Sequence, residues 1–299
     1  MKSDRATAVA NAFVYRFRAR HDELDSFGHL NNAVCVKYMQ EAAIQASSDA
    51  GYSLQWYEEH AVSWVIRRLE VRYHLQVRSG DEVQVRTWLS ECGQHTAVRE
   101  YDVTRVADGA PVARGRAVWV YIDAQTQRAQ RLPAAIKIAL APSGNREDLG
   151  IRAYKSRAIE NAYRYRLRRR VQTYELDPEG RVHHAVFLNW TEQAYFNAIR
   201  VADHPLEQLR AGDWVVFLGG HDVEYFGAAH DNDEIEIVSW ICEVGKVRAA
   251  WTHEVYQAET MRLLARDYSL GVFVDRQGRP IAAPSSVVDD ILRGPANRG

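Results

Sequence analysis

The stretch that decides the fold reads Asp25-Ser26-Phe27-Gly28-His29-Leu30-Asn31-Asn32. A mostly apolar segment follows from Ala33 to Ala50, and Gly51 would end it. Turn residues and asparagines ahead of an apolar segment predict a loop that opens a helix. The loop would place a carboxylate and an imidazole at the helix N-terminus, where backbone N–H groups and the helix macrodipole favour negative charge.

The same pattern recurs in the second half of the chain, where residue n matches residue n + 152. Asp25 and Gly28 align in this way with Asp177 and Gly180. The matches continue without a gap well beyond the motif, as in Tyr73 with Tyr225, Trp88 with Trp240, Ala113-Arg114 with Ala265-Arg266 and Asp123 with Asp275. Ungapped matching over such a length indicates a tandem duplication. We therefore expect an N-terminal domain over residues 1–140, a linker over 141–161 and a C-terminal domain over 162–299.

Within one copy, the sequence predicts one strand, one long helix and then a series of strands. Residues 13–20 alternate around aromatic side chains and predict the first strand, and Asn32 is the expected N-cap of the helix. Residues 69–78 alternate strictly between apolar and polar, and later turns separate further strands up to Ile122. The broad apolar face of the helix must be buried against other elements of the fold. We therefore expect an α+β fold in which a curved antiparallel sheet wraps around a long central helix.

Several residues of the first copy match a known signature: Asp25-x-x-Gly28-His29-x-Asn31-Asn32, followed by Tyr38 and Glu41. This signature resembles that of the hotdog-fold acyl-CoA thioesterases of the 4-hydroxybenzoyl-CoA thioesterase type. The resemblance covers nearly all of residues 13–140 and, more weakly, 162–290. It implies two tandem hotdog domains that imitate the usual homodimer. It also implies hydrolysis of a thioester of coenzyme A, or of an acyl carrier protein, with no cofactor and no metal.

The resemblance assigns roles in the first copy. Asp25 would attack the thioester carbonyl or activate a water, and His29 would orient either group. Backbone N–H groups at the helix start would form the oxyanion hole. The residues expected to bind the substrate are Gly28, Asn31, Asn32 and Tyr38. Structural roles fit the same side chains: Asp25 as a turn cap, His29 as a loop residue bonded to backbone, the asparagines as caps and Tyr38 as core.

The second copy departs from the signature. Arg181 stands where the first copy has His29, and His183-His184 replace the two asparagines, while Asp177 persists. Asp177 is therefore a catalytic candidate in a site that is either degenerate or active. Because adjacent side chains point to different sides, we expect the two histidines to diverge and not to form a metal site.

The composition limits the expected partners and location. With 38 Lys and Arg against 39 Asp and Glu, the net charge is −1, so neither a nucleic acid nor an anionic membrane is expected as a partner. Three scattered cysteines, no signal-peptide pattern and no apolar run of membrane length favour the cytoplasm. The expected partner is the thioester substrate, and two copies of the chain could associate as a homodimer.

Three alternatives to hydrolysis remain open. The first is a hotdog acyltransferase, which would transfer the acyl group to a carrier in place of releasing free acid. The second is a hotdog hydratase or dehydratase, whose Asp-x-Asn-Pro-x-His or His-Pro-Gly strings do not occur at this motif. The third is a non-catalytic acyl-CoA binding module, which would bind the thioester tightly and release no thiol.

Overall fold

The computed structural model describes residues 12–144, 146, 159 and 161–295. The chain divides into two compact units, Met1–Leu69 with His74–Gly150 and Glu70–Tyr73 with Ile151–Gly299. The elements of the first copy are β1 (Phe13–Arg18), α1 (Asn32–Asp49), α2 (Leu54–Glu59), β2 (Val62–Tyr73), β3 (Glu82–Cys92), β4 (Thr96–Arg105), β5 (Pro111–Asp123) and α3 (Ala134–Ala139). Those of the second copy are β6 (Tyr165–Arg170), α4 (His184–Val201), α5 (Leu206–Ala211), β7 (Trp214–Tyr225), β8 (Glu234–Val244), β9 (Arg248–Gln257), β10 (Arg262–Asp275) and α6 (Ser285–Arg293).

The strands of the first copy lie in the order β1-β3-β4-β5-β2. Neighbours from β1 to β5 pair antiparallel, and Val85 of β3 lies between Tyr15 and Val103. Val85 is fully buried, whereas the alternate residues Gln84 and Arg86 are only partly buried. Helix α1 packs against β1 and β3. The apolar face of the sheet therefore lies under one long helix at β1 and β3, and the predicted α+β hotdog arrangement is confirmed.

Helix α1 begins one residue earlier than it would if Asn32 were its N-cap. The N-cap is Asn31, whose extended ψ of 138° is not helical and whose Oδ1 accepts a hydrogen bond from the N–H of Ala33 at 2.9 Å. Asn32 is the first helical residue. The expected cap was therefore wrong by one position, because either asparagine could bond to the first turn and only the loop conformation selects between them.

The second copy repeats the first at the level of whole elements. Its strands lie in the order β6-β8-β9-β10-β7, and α4 packs against β6, β8 and β10. The long helix spans residues 32–49 in the first copy and 184–201 in the second, and the first strand after it spans 62–73 and 214–225. Both shifts equal the spacing of Asp25 and Asp177, so the duplication read from the sequence is a duplication of structure.

Two boundaries differ from the sequence expectation or lie outside what is described. The strand expected over residues 69–78 begins at Val62 and ends at Tyr73, because buried positions before Leu69 extend the ladder and a loop follows. Most of the linker expected over 141–161 lies outside the described residues. None of the helices in the described ranges is long and apolar enough to span a membrane.

A buried polar network lies within the core of the second copy. Asp267 of β10 is 1% exposed, and its carboxylate oxygens lie 2.9 and 3.0 Å from Nδ1 of His221. Thr191 of α4 donates a hydrogen bond to the same carboxylate at 3.0 Å. Burial alone would raise the pKa of Asp267, but His221 and Thr191 outweigh it and the pKa is lowered. The aligned residues of the first copy are Gly115, Leu69 and Met39.

His253 of β9 lies next to this network. Its Nδ1 is 2.8 Å from the hydroxyl of Ser239, and its Nε2 is 3.1 Å from the hydroxyl of Ser269. Because each hydroxyl can donate or accept, the two serines satisfy a neutral imidazole completely. Burial lowers the pKa of His253 from 6.5 to about 4, against the opposing effect of Asp267. The ring is therefore neutral in the folded protein at neutral pH.

We predict that His253 makes the fold labile to acid. The unfolded chain binds this proton below pH 6.5 and the folded chain only below about 4. The contribution to stability is therefore complete above pH 6.5, and roughly 3 kcal/mol of the free energy of unfolding is lost as the pH falls to 4. His253→Gln keeps a donor and an acceptor for the serines and should remove this part of the pH dependence. Chemical denaturation at a series of pH values measures both proteins, and parallel pH profiles would contradict the prediction.

Candidate active site

The loop before α1 is a tight turn built on the Asp25 carboxylate. Oδ1 of Asp25 accepts hydrogen bonds from the N–H of Phe27 at 2.8 Å and of His29 at 3.0 Å. The Asp25 N–H donates to the His29 carbonyl at 2.7 Å, and the Gly28 N–H donates to the Asp25 carbonyl at 3.1 Å. Gly28 has a φ of +81°, in the left-handed region that favours glycine. The sequence Asp-x-x-Gly-His thus folds locally, with Asp25 as its internal acceptor.

Two groups of this loop have no hydrogen-bond partner among the described residues. These are Oδ2 of Asp25 and the imidazole of His29, both on half-buried side chains. Burial, and then the positive charge of Arg78, lower the pKa of His29, while Asp25 acts in the opposite direction. The loop therefore presents one oriented carboxylate oxygen and a largely neutral imidazole.

Most backbone donors of the loop are already engaged. The N–H groups of Phe27, Gly28, His29, Leu30, Asn31 and Ala33 all have acceptors within the first copy. The loop amides therefore fix the shape of the loop, which ends at the positive end of the α1 macrodipole.

Tyr38 is tied to the base of the loop by a carboxylate that the sequence reading overlooked. The Tyr38 hydroxyl donates to Glu23 Oε2 at 2.5 Å, and Arg20 donates to Glu23 Oε1 at 3.0 Å. The Tyr38 ring stacks on Phe17 with centroids 4.2 Å apart. Tyr38 is buried, and burial together with Glu23 raises the pKa of its hydroxyl. Its hydroxyl therefore anchors helix to loop.

The second copy also ties its long helix to a glutamate before the turn, but with different hydrogen-bond donors. Trp190 occupies the position aligned with Tyr38 and donates to Glu175 Oε1 at 2.9 Å, while Arg169 binds the same carboxylate at 2.6 Å. A signal for this contact was present in the sequence, because Glu-Leu-Asp occurs before the turn in both copies, at Glu23 and at Glu175.

The carboxylate of the second copy is engaged at both oxygens. Oδ1 of Asp177 accepts from the N–H groups of Glu179 and Arg181 at 2.9 and 3.0 Å, as in the first copy. Oδ2 lies 3.7 Å from Nε of Arg181, and Arg181 also pairs with the Glu179 carboxylate. The arginine that replaces His29 therefore covers the oxygen that Asp25 leaves open.

The two histidines that replace the asparagines do not diverge. Their rings stack with centroids 4.6 Å apart, and Nδ1 of His183 accepts from the N–H of Ala185 as the N-cap of α4. The expectation of opposite directions was wrong, because His183 precedes the helix and His184 is its first residue, so the alternation of a strand does not apply. Within the described ranges, no group of His, Cys, Asp or Glu residues is arranged to hold a metal ion.

Known proteins share parts of this sequence. The long-chain acyl-CoA thioesterase FadM of Escherichia coli (strain K12) is 23% identical over 122 residues, which is 41% of this chain and 92% of FadM. A chloroplastic palmitoyl-acyl carrier protein thioesterase of Cuphea hookeriana is 23% identical over 143 residues, which is 45% of this chain. The match spans only 34% of the length of that plant protein.

Solved structures share the whole fold. An oleoyl thioesterase (putative) from Lactobacillus plantarum superimposes with a TM-score of 0.70 and 16% identity, over 93% of this chain and 100% of its own. The 12:0-ACP thioesterase from Umbellularia californica gives 0.69 and 16%, over 88% and 94% of the two chains. At such identities the likeness establishes the fold alone.

The family model of the thioesterase-like superfamily matches the sequence twice, over residues 19–140 and 171–292. The two matches fall one on each structural copy and together cover most of the sequence. The chain therefore belongs to the thioesterase-like superfamily.

Proposed function

We propose that this chain hydrolyses acyl thioesters of coenzyme A or of an acyl carrier protein at the loop before α1. The observation that carries the proposal is that the two oxygens of the Asp25 carboxylate differ in their hydrogen bonds. Oδ1 is fixed by two backbone N–H groups, while Oδ2 and the imidazole of His29 have no partner in the described part of the chain. Membership of the thioesterase-like superfamily supports the reaction class, and relatives named as acyl-CoA and acyl-acyl carrier protein thioesterases support both carriers.

The chemistry asks little of the protein, because a thiolate is a good leaving group. As a general base, Oδ2 of Asp25 accepts a proton from a water while the water oxygen bonds to the thioester carbonyl carbon. Collapse of the tetrahedral intermediate breaks the C–S bond, and the thiolate takes up a proton. As a nucleophile, Oδ2 itself bonds to the carbonyl carbon and expels the thiolate, and water then hydrolyses the resulting anhydride. Both routes give free acid and thiol.

The remaining residues of the loop orient the reactants. A neutral His29 can donate a hydrogen bond from one ring nitrogen and accept at the other, which suits it to hold the carbonyl or the attacking water. The positive end of α1 stabilises the oxyanion as it forms. Gly28, Asn31 and Asn32 would shape the loop around the thioester, and Tyr38 would position it through Glu23.

The second copy has the same turn, but the second oxygen of its aspartate forms an ion pair with an arginine. Arg181 forms an ion pair with Oδ2 of Asp177, and Glu179 shares the guanidinium, so a fixed positive charge neutralises the oxygen that would have to accept a proton or attack a carbonyl. We therefore assign turnover to Asp25 and treat Asp177 as the acceptor that folds the second turn.

We also propose that the protein acts in the cytoplasm. All three cysteines, Cys35, Cys92 and Cys242, are free thiols, and Cys35 and Cys242 are buried. Free thiols are the usual state of cysteine in a reducing compartment.

We predict that the two aligned carboxylates differ in their effect on turnover. Asp25→Asn keeps an acceptor oxygen for the two N–H groups but removes the base, so kcat should fall by about 10²- to 10⁴-fold. Asp177→Asn makes the same change in the second turn and should leave kcat within a few fold. Thiol release from a panel of acyl-CoAs measures both variants. Full turnover by Asp25→Asn would show that the carboxylate is wrongly assigned, and acyl-CoA binding without thiol release by the wild type would favour a binding module.

We predict that His29 acts as a neutral hydrogen-bonding group. His29→Gln retains a donor and an acceptor and should keep kcat/KM within about tenfold of wild type, whereas His29→Ala should lose about 100-fold. Steady-state kinetics at neutral pH compares the variants, and denaturation curves control for loss of fold. Equal losses in both variants would indicate that His29 transfers a proton.

A further inference from the structure

The core of the first copy contains an arginine without an acidic partner. Arg99 of β4 is 7% exposed and lies on the face of the strand that carries the buried residues Ala97, Tyr101 and Val103. Its Nη1 donates to the hydroxyl of Thr87 at 3.3 Å. In the described part of the chain, Arg99 has no carboxylate at ion-pair distance and no other hydrogen-bond partner. Burial lowers the pKa of its guanidinium.

Two other buried arginines of this protein, Arg116 and Arg181, pair with carboxylates. Arg116 is 9% exposed and lies 2.7 Å from the Glu100 carboxylate. Arg181 is also 9% exposed and pairs with Asp177 and Glu179. Burying a cation without an anion costs several kcal/mol. Because no carboxylate among the described residues pairs with Arg99, we look for its anion in a bound ligand.

The second copy shows what the fold accepts at this position when no charge is needed. The residue aligned with Arg99 is Trp251, which is 3% exposed and packs in an apolar cluster with Tyr165, Ile241 and Ile291. An apolar side chain can therefore fill this place in the fold. The arginine is a feature of the first copy alone.

The surroundings of Arg99 are hydroxyl groups and apolar walls. Tyr57 and Tyr101 lie close enough to the guanidinium to affect its pKa, and the Tyr57 hydroxyl is 2.9 Å from that of Ser47, which itself donates to the Tyr52 carbonyl. Tyr57 belongs to an apolar cluster with Val62, Tyr121, Leu132 and Ile136. A guanidinium with neighbouring hydroxyls inside an apolar shell suits a carboxylate at the end of a hydrocarbon chain.

The site at Arg99 lies at the far end of α1 from the Asp25 loop. The loop is bonded to the segment just before β3, through the Leu30 N–H and the Val77 carbonyl. Arg99 pairs with Leu89 further along β3, about 24 Å from the start of that strand at Glu82, at about 3.4 Å per residue. The Tyr57 hydroxyl bonds to Ser47 near the last turn of α1, about 22 Å from the helix start at about 1.5 Å per residue. The two elements therefore give similar separations.

We propose that the first copy binds long acyl chains that end in a carboxylate, with Arg99 as the residue that pairs with this terminal anion. The proposal rests on the thioesterase function, because the thioester end of such a chain would lie at Asp25. A chain of this kind bridges the two ends of α1, with its hydrocarbon part along the buried face of the sheet. The phosphates of coenzyme A do not fit the same place, because a nucleotide cannot enter a core position that is 7% exposed.

The test compares two thioesters of equal length, hexadecanedioyl-CoA and palmitoyl-CoA. Wild type should favour the ω-carboxyl substrate by about 10- to 100-fold in kcat/KM, the range of one charge-assisted pair. Arg99→Met should abolish this preference, and Arg99→Lys should keep part of it. Arg86→Met is the matched control, because Arg86 lies in the same sheet on the opposite face and pairs with Asp102. It should leave the preference unchanged.

Direct binding separates this inference from the reaction itself. Calorimetry with free hexadecanedioate and with palmitate tests the anion site whether or not the protein hydrolyses thioesters. Hydrolysis without a preference in the wild type would overturn the inference and leave the proposed function intact. Diacid binding that depends on Arg99, with no thiol release from any substrate, would overturn the function and support the anion site. Loss of affinity for coenzyme A alone in Arg99→Met would assign the anion to the cofactor phosphates and overturn the inference. If Arg99→Met does not fold, the wild-type ratio and Arg99→Lys decide.

Discussion

The structure depends on one carboxylate oxygen, Oδ1 of Asp25, which accepts hydrogen bonds from two backbone N–H groups. Oδ1 of Asp25 closes the turn that ends at His29, and the positive φ of Gly28 allows the chain to reverse there. The same turn brings the Asn31 N–H to the Glu23 carbonyl at 3.0 Å and sets the first residue of α1. Because the helix direction follows from this turn, so does the way in which α1 covers the sheet.

The duplication shows which parts of the turn are structural and which are free to change. Both copies keep the aspartate, the glycine and the glutamate that anchors the helix, and the hydrogen bonds to the aspartate have nearly equal lengths. They differ in the residue after the glycine, His29 or Arg181, and this residue decides whether the second carboxylate oxygen is open. The turn needs only Oδ1 of the aspartate to fold. Oδ2 can therefore be left without a partner among the described residues, as in Asp25, or be neutralised by an arginine, as in Asp177.

Buried polar groups show the same divergence. In the second copy, Asp267 meets His221 and Thr191, so that a buried charge is satisfied within the core. In the first copy, the aligned positions are apolar, and a buried charge without a carboxylate partner among the described residues stands elsewhere, at Arg99, with one neutral partner. A satisfied network can serve the fold alone, whereas a buried charge without a counterion is costly enough to require another explanation.

The sequence by itself determined the duplication, the order of the strands and the long helix, the α+β class and the loop at Asp25, but not the short helices α2, α3, α5 and α6. Each of these follows from a pattern in the sequence. A fixed offset between residues indicates the duplication, alternation indicates the strands, and a turn closed within five residues indicates the loop. The sequence did not select Asn31 over Asn32 as the cap, and it did not reveal the stacked pair at His183 and His184, because both depend on the path of the chain at the helix start. Only the tertiary structure decided that Arg181 pairs with Asp177 and that Arg99 lies in the core with no carboxylate partner among the described residues. Both facts depend on which side chains meet and how far water is excluded, and no spacing along the chain records that.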